Sequence, residues 1–189
     1  MQSALIISST EKGNDFFISM LRQISCTKVS AVKTCGETRR LMMERPFDLY
    51  IINSPLTDET GENLSVHIAT NTMAQVILIT KPEHYDVISS KVEDFGVITV
   101  TKPINRHMFW SSLKLAKASY HRISKISNEN NKLLQQIDDI KAVNRAKYVL
   151  IKYLSMTEPE AHKHIEKSAM DLRISKREVA QKILKTYQN

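Results

Sequence analysis

The chain has 189 residues, 42% of them apolar and 25% charged, with a formal net charge of +7. That composition supports packed cores and excludes a disordered tail. No apolar run approaches the roughly 18 residues of a membrane span, and "MQSALIISST" has no basic leader, so a cytoplasmic protein with no membrane partner is expected.

Residues 1–105 hold 10 Lys+Arg against 12 Asp+Glu, and they contain all four glycines, Gly13, Gly36, Gly61 and Gly96. Short β-branched runs alternate there with helical patterns. Strands are expected near 3–9 ("SALIISS"), 27–33, 48–53 ("DLYIIN"), 75–80 ("QVILIT") and 96–101 ("GVITVT"), with helices around 12–24, 36–45, 60–72 and 83–93. The runs "ALII", "YII" and "VILI" do not alternate, as in strands covered on both faces. Five βα units predict an α/β fold with a doubly wound parallel sheet. Such sheets put their chemistry at the C-terminal ends of the strands. Here those ends carry Ser8 and Ser9, Asn53, Thr80 and Lys102. Cys26 and Cys35 flank the second strand and read as reduced thiols; no metal site and no cofactor is expected.

"FDLYIIN", "VILIT" and "VTKP" at the third, fourth and fifth strands resemble the receiver domain of two-component response regulators, over roughly residues 1–120. The resemblance implies an acidic Mg²⁺-binding pair after the first strand, a phosphoacceptor aspartate ending the third, a Thr or Ser ending the fourth and a lysine ending the fifth. Thr80 and Lys102 match the last two. Ser8 and Ser9 stand at the acidic pair and Asn53 at the phosphoacceptor, while Thr99 takes the place of a switch aromatic. Mg²⁺ favours carboxylate oxygens, which this set lacks, and an amide is a poor nucleophile. Asn53 is therefore expected not to be phosphorylated. Lys102 and Thr80 either fill structural roles, or Lys102 hydrogen-bonds the amide oxygen of Asn53.

From Asn105 the pattern becomes one long helix. Residues 106–189 hold 17 Lys+Arg against 8 Asp+Glu and no glycine. Through 121–144 a heptad repeat places Ile123, Asn130, Ile137 and Asn144 at a, with Ile126, Leu133 and Ile140 at d. Ile at a with Leu at d favours two parallel strands, and a buried Asn at a fixes register, so a parallel coiled-coil homodimer is expected.

Residues 145–189 form a third unit of three helices. "TEPE" (157–160) and "SKRE" (175–178) are capping boxes. Ala161, Ile165, Ala169 and Leu172 line one face of the first capped helix, and Val179, Ile183, Leu184 and Tyr187 line one face of the second. With Ala146, Val149, Leu150, Tyr153 and Leu154 they close a small core. Exposed lysines and arginines outside these faces imply a polyanionic partner.

"RAKYVLIKYLSMTEPEAHKHIEKSAMDLRISKREVAQKIL" (145–184) resembles an ANTAR domain, the RNA-binding module of bacterial transcription antitermination regulators. The resemblance rests on Ala146-Lys147, Leu154, Glu160-Ala161, Lys167, Ala169-Met170 and Val179-Ala180. It implies a dimer that binds a leader RNA with two hairpins, one module per loop, and so prevents a terminator from forming. Lys147, Lys167 and Arg173 match positive family positions, and Arg145, Ser168, Lys176 and Arg177 join them on charge and expected exposure. Ala169, Met170 and Val179 match equally but are assigned to the core. A DNA-binding response-regulator-like transcription factor is the alternative, although "ISKREVAQKIL" would need a recognition helix after it. No paired carboxylates or nucleophile constellations point to an enzyme. A regulatory partner protein, a small ligand or control by abundance remain open as the signal.

Overall fold

The computed structural model describes residues 1–187, so the last two residues of the expected 145–189 unit lie outside the described residues. There are two compact units, Met1–Lys125 and a second that begins at Ile126. No helix among the described residues is long and apolar enough to cross a membrane.

The first unit runs β1 (Ser3–Ile7), α1 (Glu11–Gln23), β2 (Lys28–Val32), α2 (Cys35–Glu44), β3 (Leu49–Asn53), α3 (Glu62–Asn71), β4 (Gln75–Thr80), α4 (Tyr85–Val92) and β5 (Ile98–Thr101), after which α5 (Arg106–Leu154) begins. All strand pairs are parallel, in the order β2-β1-β3-β4-β5. This is the doubly wound parallel sheet that the βα alternation predicts. Pro82 opens a 3-10 turn before α4, and a second such turn follows it, so the fourth helix is shorter than its periodicity suggests.

The non-alternating strand runs are explained by two helix layers. Ala4 and Ile6 face Phe17 and Leu21 of α1 and Phe109 and Leu113 of α5. Their neighbours Leu5 and Ile7 face Leu64 and Ile68 of α3 and Ile88 and Val92 of α4. Each fully buried side chain of this size contributes about 1.5–3 kcal/mol. Gly61 begins α3 at φ 86°, and a Cβ there would come within 2.6 Å of Ile52 Cγ2, so both conformation and space require glycine. The side chain of Asn105 starts α5 by accepting the His107 N–H at 2.8 Å.

In the second unit the C-terminal part of α5 packs with α6 (Glu158–Leu172) and α7 (Lys176–Tyr187). Both capping glutamates reach back, Glu160 accepting the Thr157 N–H and Glu178 the Ser175 N–H, each at 2.8 Å. The core is Ala146, Leu150, Ala161, Ile165, Ala169, Val179 and Ala180, edged by Ile174, Ile183 and Leu184 among others.

Four residues expected in that core are exposed: Tyr153, Leu154, Met170 and Leu172. Helix geometry accounts for Met170, which stands about 100° round α6 from the buried Ala169. Leu172 is the last residue of α6, and Arg173 turns the chain back at φ 53°. Ile174 then enters the core in its place, its N–H donating to the Ala169 carbonyl at 3.0 Å. Tyr153 instead stacks on Tyr187, with ring centroids 5.6 Å apart and planes 24° from parallel. Leu154 ends α5 with nothing beyond it in the helix to cover it.

Candidate functional site

The strand ends converge on one edge of the sheet, as parallel pairing requires. Ladder bonds run one residue past the strands: Ser8 N–H to Val32 carbonyl (3.0 Å), Ser54 N–H to Ile79 carbonyl (2.9 Å) and Lys102 N–H to Thr80 carbonyl (2.9 Å). Asn53 is buried, and its Nδ2 donates to Ser8 Oγ at 3.0 Å. Its Oδ1 has no partner among the described residues. Beside this pair, α1 approaches so closely that a Cβ on Gly13 would stand 2.8 Å from Thr10 Oγ1, 3.0 Å from Ser8 Oγ and 3.1 Å from Asn53 Nδ2. The corner is closed by neutral hydroxyl and amide groups, a poor donor set for a hard dication.

The remaining strand-end residues separate, and of the two roles open to Lys102 the bond to Asn53 is absent. Ser9 is exposed and takes no part in the corner. Lys102 does not reach the amide oxygen of Asn53; its ammonium donates to the backbone carbonyl of Ser54. Asn53 has turned its amide toward Ser8, and the carbonyl one residue on is the acceptor within the lysine's reach. Burial pushes the Lys102 ammonium below its ordinary range, and the nearby charge of Lys81 adds to the effect. Thr80 is buried at the end of β4, and Thr99 leaves its hydroxyl without a partner among the described residues.

Both cysteines are free and buried. Cys35 lies near Asp58 and Glu59, but those carboxylates are occupied. Asp58 accepts the N–H groups of Cys35 (3.1 Å) and Gly36 (3.0 Å), and Glu59 pairs with Arg39. Burial first, and then these two acids, push the Cys35 thiol up to about 12, so that it stands as a protonated thiol at neutral pH.

In the second unit the seven candidate cations and hydroxyls separate into two groups. Lys147 pairs with Glu158 at 2.6 Å, Arg177 with Asp139 at 2.7 Å, and Lys176 with Glu166, which also meets His162 at 3.3 Å. These pairs tie α5, α6 and α7 to one another and lie around a cleft of about 410 Å³. By contrast Arg145, Lys167 and Arg173 are exposed and make no ion pair among the described residues, and Ser168 is half-buried. Lys163 and His164, unassigned from the sequence, line a second groove with Lys167. Exposed Tyr148 and Tyr153 lie on the same unit, and the Lys152 ammonium sits 5.2 Å from the Tyr153 ring centroid.

Of the heptad residues, Ile126, Leu133, Ile137 and Ile140 are 47–60% exposed, and Asn130 and Asn144 are exposed beside them; Ile123 is half-buried. At 100° per residue, Ile137 lies on the side of α5 opposite Ala146, which faces the α6 and α7 core, while Ile140 and Asn144 border the cleft that α5 forms with α6 and α7.

Residues 131–184 match the ANTAR domain family. Two sequences from Mycobacterium tuberculosis, strains CDC 1551/Oshkosh and ATCC 25618/H37Rv, each named transcriptional regulatory protein PdtaR, are 27% identical over 139 residues, covering 74% of this chain and 68% of theirs. Solved structures similar to the chain include the signal receiver domain of an HD domain-containing protein from Pseudomonas fluorescens Pf-5, with a TM-score of 0.57, 18% identity and coverage of 66% of this chain and 94% of that one. A CheY-like receiver domain protein from Methanospirillum hungatei JF-1 has a TM-score of 0.53 at 18% identity, with 66% and 98% covered. Residues 131–184 thus carry an ANTAR domain, and the N-terminal unit has a receiver-like fold. The ANTAR match begins at residue 131, within the stretch that carries the heptads.

The acidic partners Asp139, Glu158 and Glu166 were not legible in the sequence, because each meets its cation across a helix-helix contact and not at a helical spacing. Gly13 could have been found: a glycine in the first turn of a helix, just after a strand end, signals a close approach.

Proposed function

We propose that the chain is an RNA-binding transcription antitermination regulator. Its C-terminal domains bind a leader RNA with two hairpins, as a parallel coiled-coil dimer, and prevent a terminator from forming. The observation that carries this reading is the ANTAR match over 131–184, a unit whose Arg145, Lys163, Lys167 and Arg173 make no ion pair among the described residues. Unpaired surface cations release counterions when they meet phosphate, without first giving up a carboxylate. We assign these four the leading phosphate contacts, with Ser168 beside Lys167. Lys147, Lys176 and Arg177 brace the helices and contact RNA only as their acids are displaced. Unstacked loop bases have exposed tyrosine rings available to them.

Dimerisation is supported by the bare heptad face. Covering half-exposed Ile126, Leu133, Ile137 and Ile140 contributes on the order of 1 kcal/mol per side chain, from both chains at once. Asn130 and Asn144 at a then fix a parallel register. In the receiver-like domain no phosphorylation occurs, because Asn53 offers no carboxylate and its amide is held by Ser8.

Crosslinking in cells followed by RNA sequencing tests the reading. Crosslinks should concentrate in untranslated leaders with paired hairpins ahead of terminators. Crosslinks spread evenly over coding RNA would contradict it.

A further inference from the structure

A cavity of about 250 Å³ opens at the ends of β3 and β4, next to the closed corner and distinct from it. Its lining combines polar Ser54, Thr60, Glu62, Thr80, Lys81 and His84 with apolar Pro55, Val87 and Ile88. The volume corresponds to about eight waters, the size of a ligand with a few non-hydrogen atoms.

The charge around it is the inverse of that expected for a metal-binding pocket. Ser8 and Asn53 contribute no charge, so the two lysines at this end of the sheet face no buried carboxylate. Lys102 is anchored to the carbonyl of Ser54, a residue of the lining, and Lys81 is close enough to repel it. Two acids do stand near. Glu62 lines the cavity but is paired with Lys91 at 3.2 Å, and Glu83 is only a 3.8 Å, solvent-exposed partner of Lys81. What remains is the Lys81 ammonium, weakly paired, beside the Thr80 hydroxyl and the apolar side chains of Pro55, Val87 and Ile88.

We propose that this cavity binds a small organic monocarboxylate without any covalent step, the carboxylate on Lys81 and Thr80 and the short hydrocarbon chain against Pro55, Val87 and Ile88. A carboxylate fits better than inorganic phosphate because Pro55, Val87 and Ile88 have nothing to offer a fully hydrated anion. The lysine and hydroxyl supply charge-assisted hydrogen bonds, and the apolar side chains supply size selection. The site is independent of the RNA reading, since it uses only residues of the receiver-like unit.

The test is amide NMR of the full-length protein titrated with butyrate, butyramide and inorganic phosphate. Butyrate should shift residues 54, 80, 81 and 88 saturably, and butyramide should bind about tenfold more weakly for want of charge. Lys81→Gln and Thr80→Val should each cost a similar factor. Val87→Trp, at an exposed lining position where folding is not at stake, should block the cavity. No saturable shift with butyrate, equal binding of phosphate, or binding unchanged in Lys81→Gln and Val87→Trp would overturn the proposal.

Discussion

Lys102 donates its ammonium proton to the carbonyl oxygen of Ser54, leaving the amide oxygen of its neighbour Asn53 unpartnered among the described residues. The cation nearest a phosphoacceptor position is thereby engaged with the backbone, while the residue at that position is held by Ser8. Restoring a single carboxylate does not rebuild the missing acidic pair at Ser8 and Ser9. Asn53→Asp should therefore give no phospho-adduct by intact mass after incubation with acetyl phosphate and Mg²⁺. The buried carboxylate should also lower stability by about 1–3 kcal/mol in urea unfolding.

Gly13 and Gly36 both sit in the first turns of helices, so replacing either by alanine should gain up to about 1 kcal/mol from helix propensity. Space reverses the sign at one of them. An alanine Cβ at Gly13 would meet three polar atoms at 2.8–3.1 Å, whereas the nearest atom at Gly36 is 3.8 Å away. Gly13→Ala should lower the urea midpoint and Gly36→Ala should leave it unchanged or raise it.

Acid should weaken the C-terminal unit through its caps. Backbone and side-chain hydrogen bonds from Thr157 hold Glu160 below the ordinary 4.5, and those from Ser175 hold Glu178 below it likewise. A carboxylate with a lowered folded pKa contributes stability above its unfolded value, and the contribution is lost as pH falls through the folded one. Thermal stability followed by helix circular dichroism should thus be flat from these groups above about pH 5 and decline below 4.5. Ser175→Ala should cost on the order of 1 kcal/mol at neutral pH and flatten the acid limb.

Much of this fold was legible because its signals are local. The five strands announce themselves as apolar runs bounded by turns, and "TEPE" and "SKRE" mark helix starts that the capping glutamates confirm. The same reasoning misplaced Tyr153, Met170 and Leu172, since periodicity does not say where a helix stops or that Arg173 will turn left-handed and send Ile174 inward. At the strand ends, residue types showed which carboxylates were absent. They did not show which atom Lys102 would choose, because two acceptors one residue apart are separated only by side-chain orientation.

Ile137→Glu places a charge at an a position, so sedimentation at micromolar concentration should change from dimer to monomer. Ile137 is absent from the α6 and α7 core, so helix content and thermal stability of that unit should be retained.

The most direct measurement is a binding titration of the intact protein against a leader RNA with two small hairpins and against duplex DNA of the same sequence, at matched salt. RNA should bind more tightly across the salt range. Removing Lys163 or Lys167 should reduce the log-log salt slope by about 0.7–0.9 each. Removing Lys176, whose charge is already met by Glu166, should change that slope less. Equal or tighter binding of the DNA, or a slope indifferent to Lys163 and Lys167, would contradict the account.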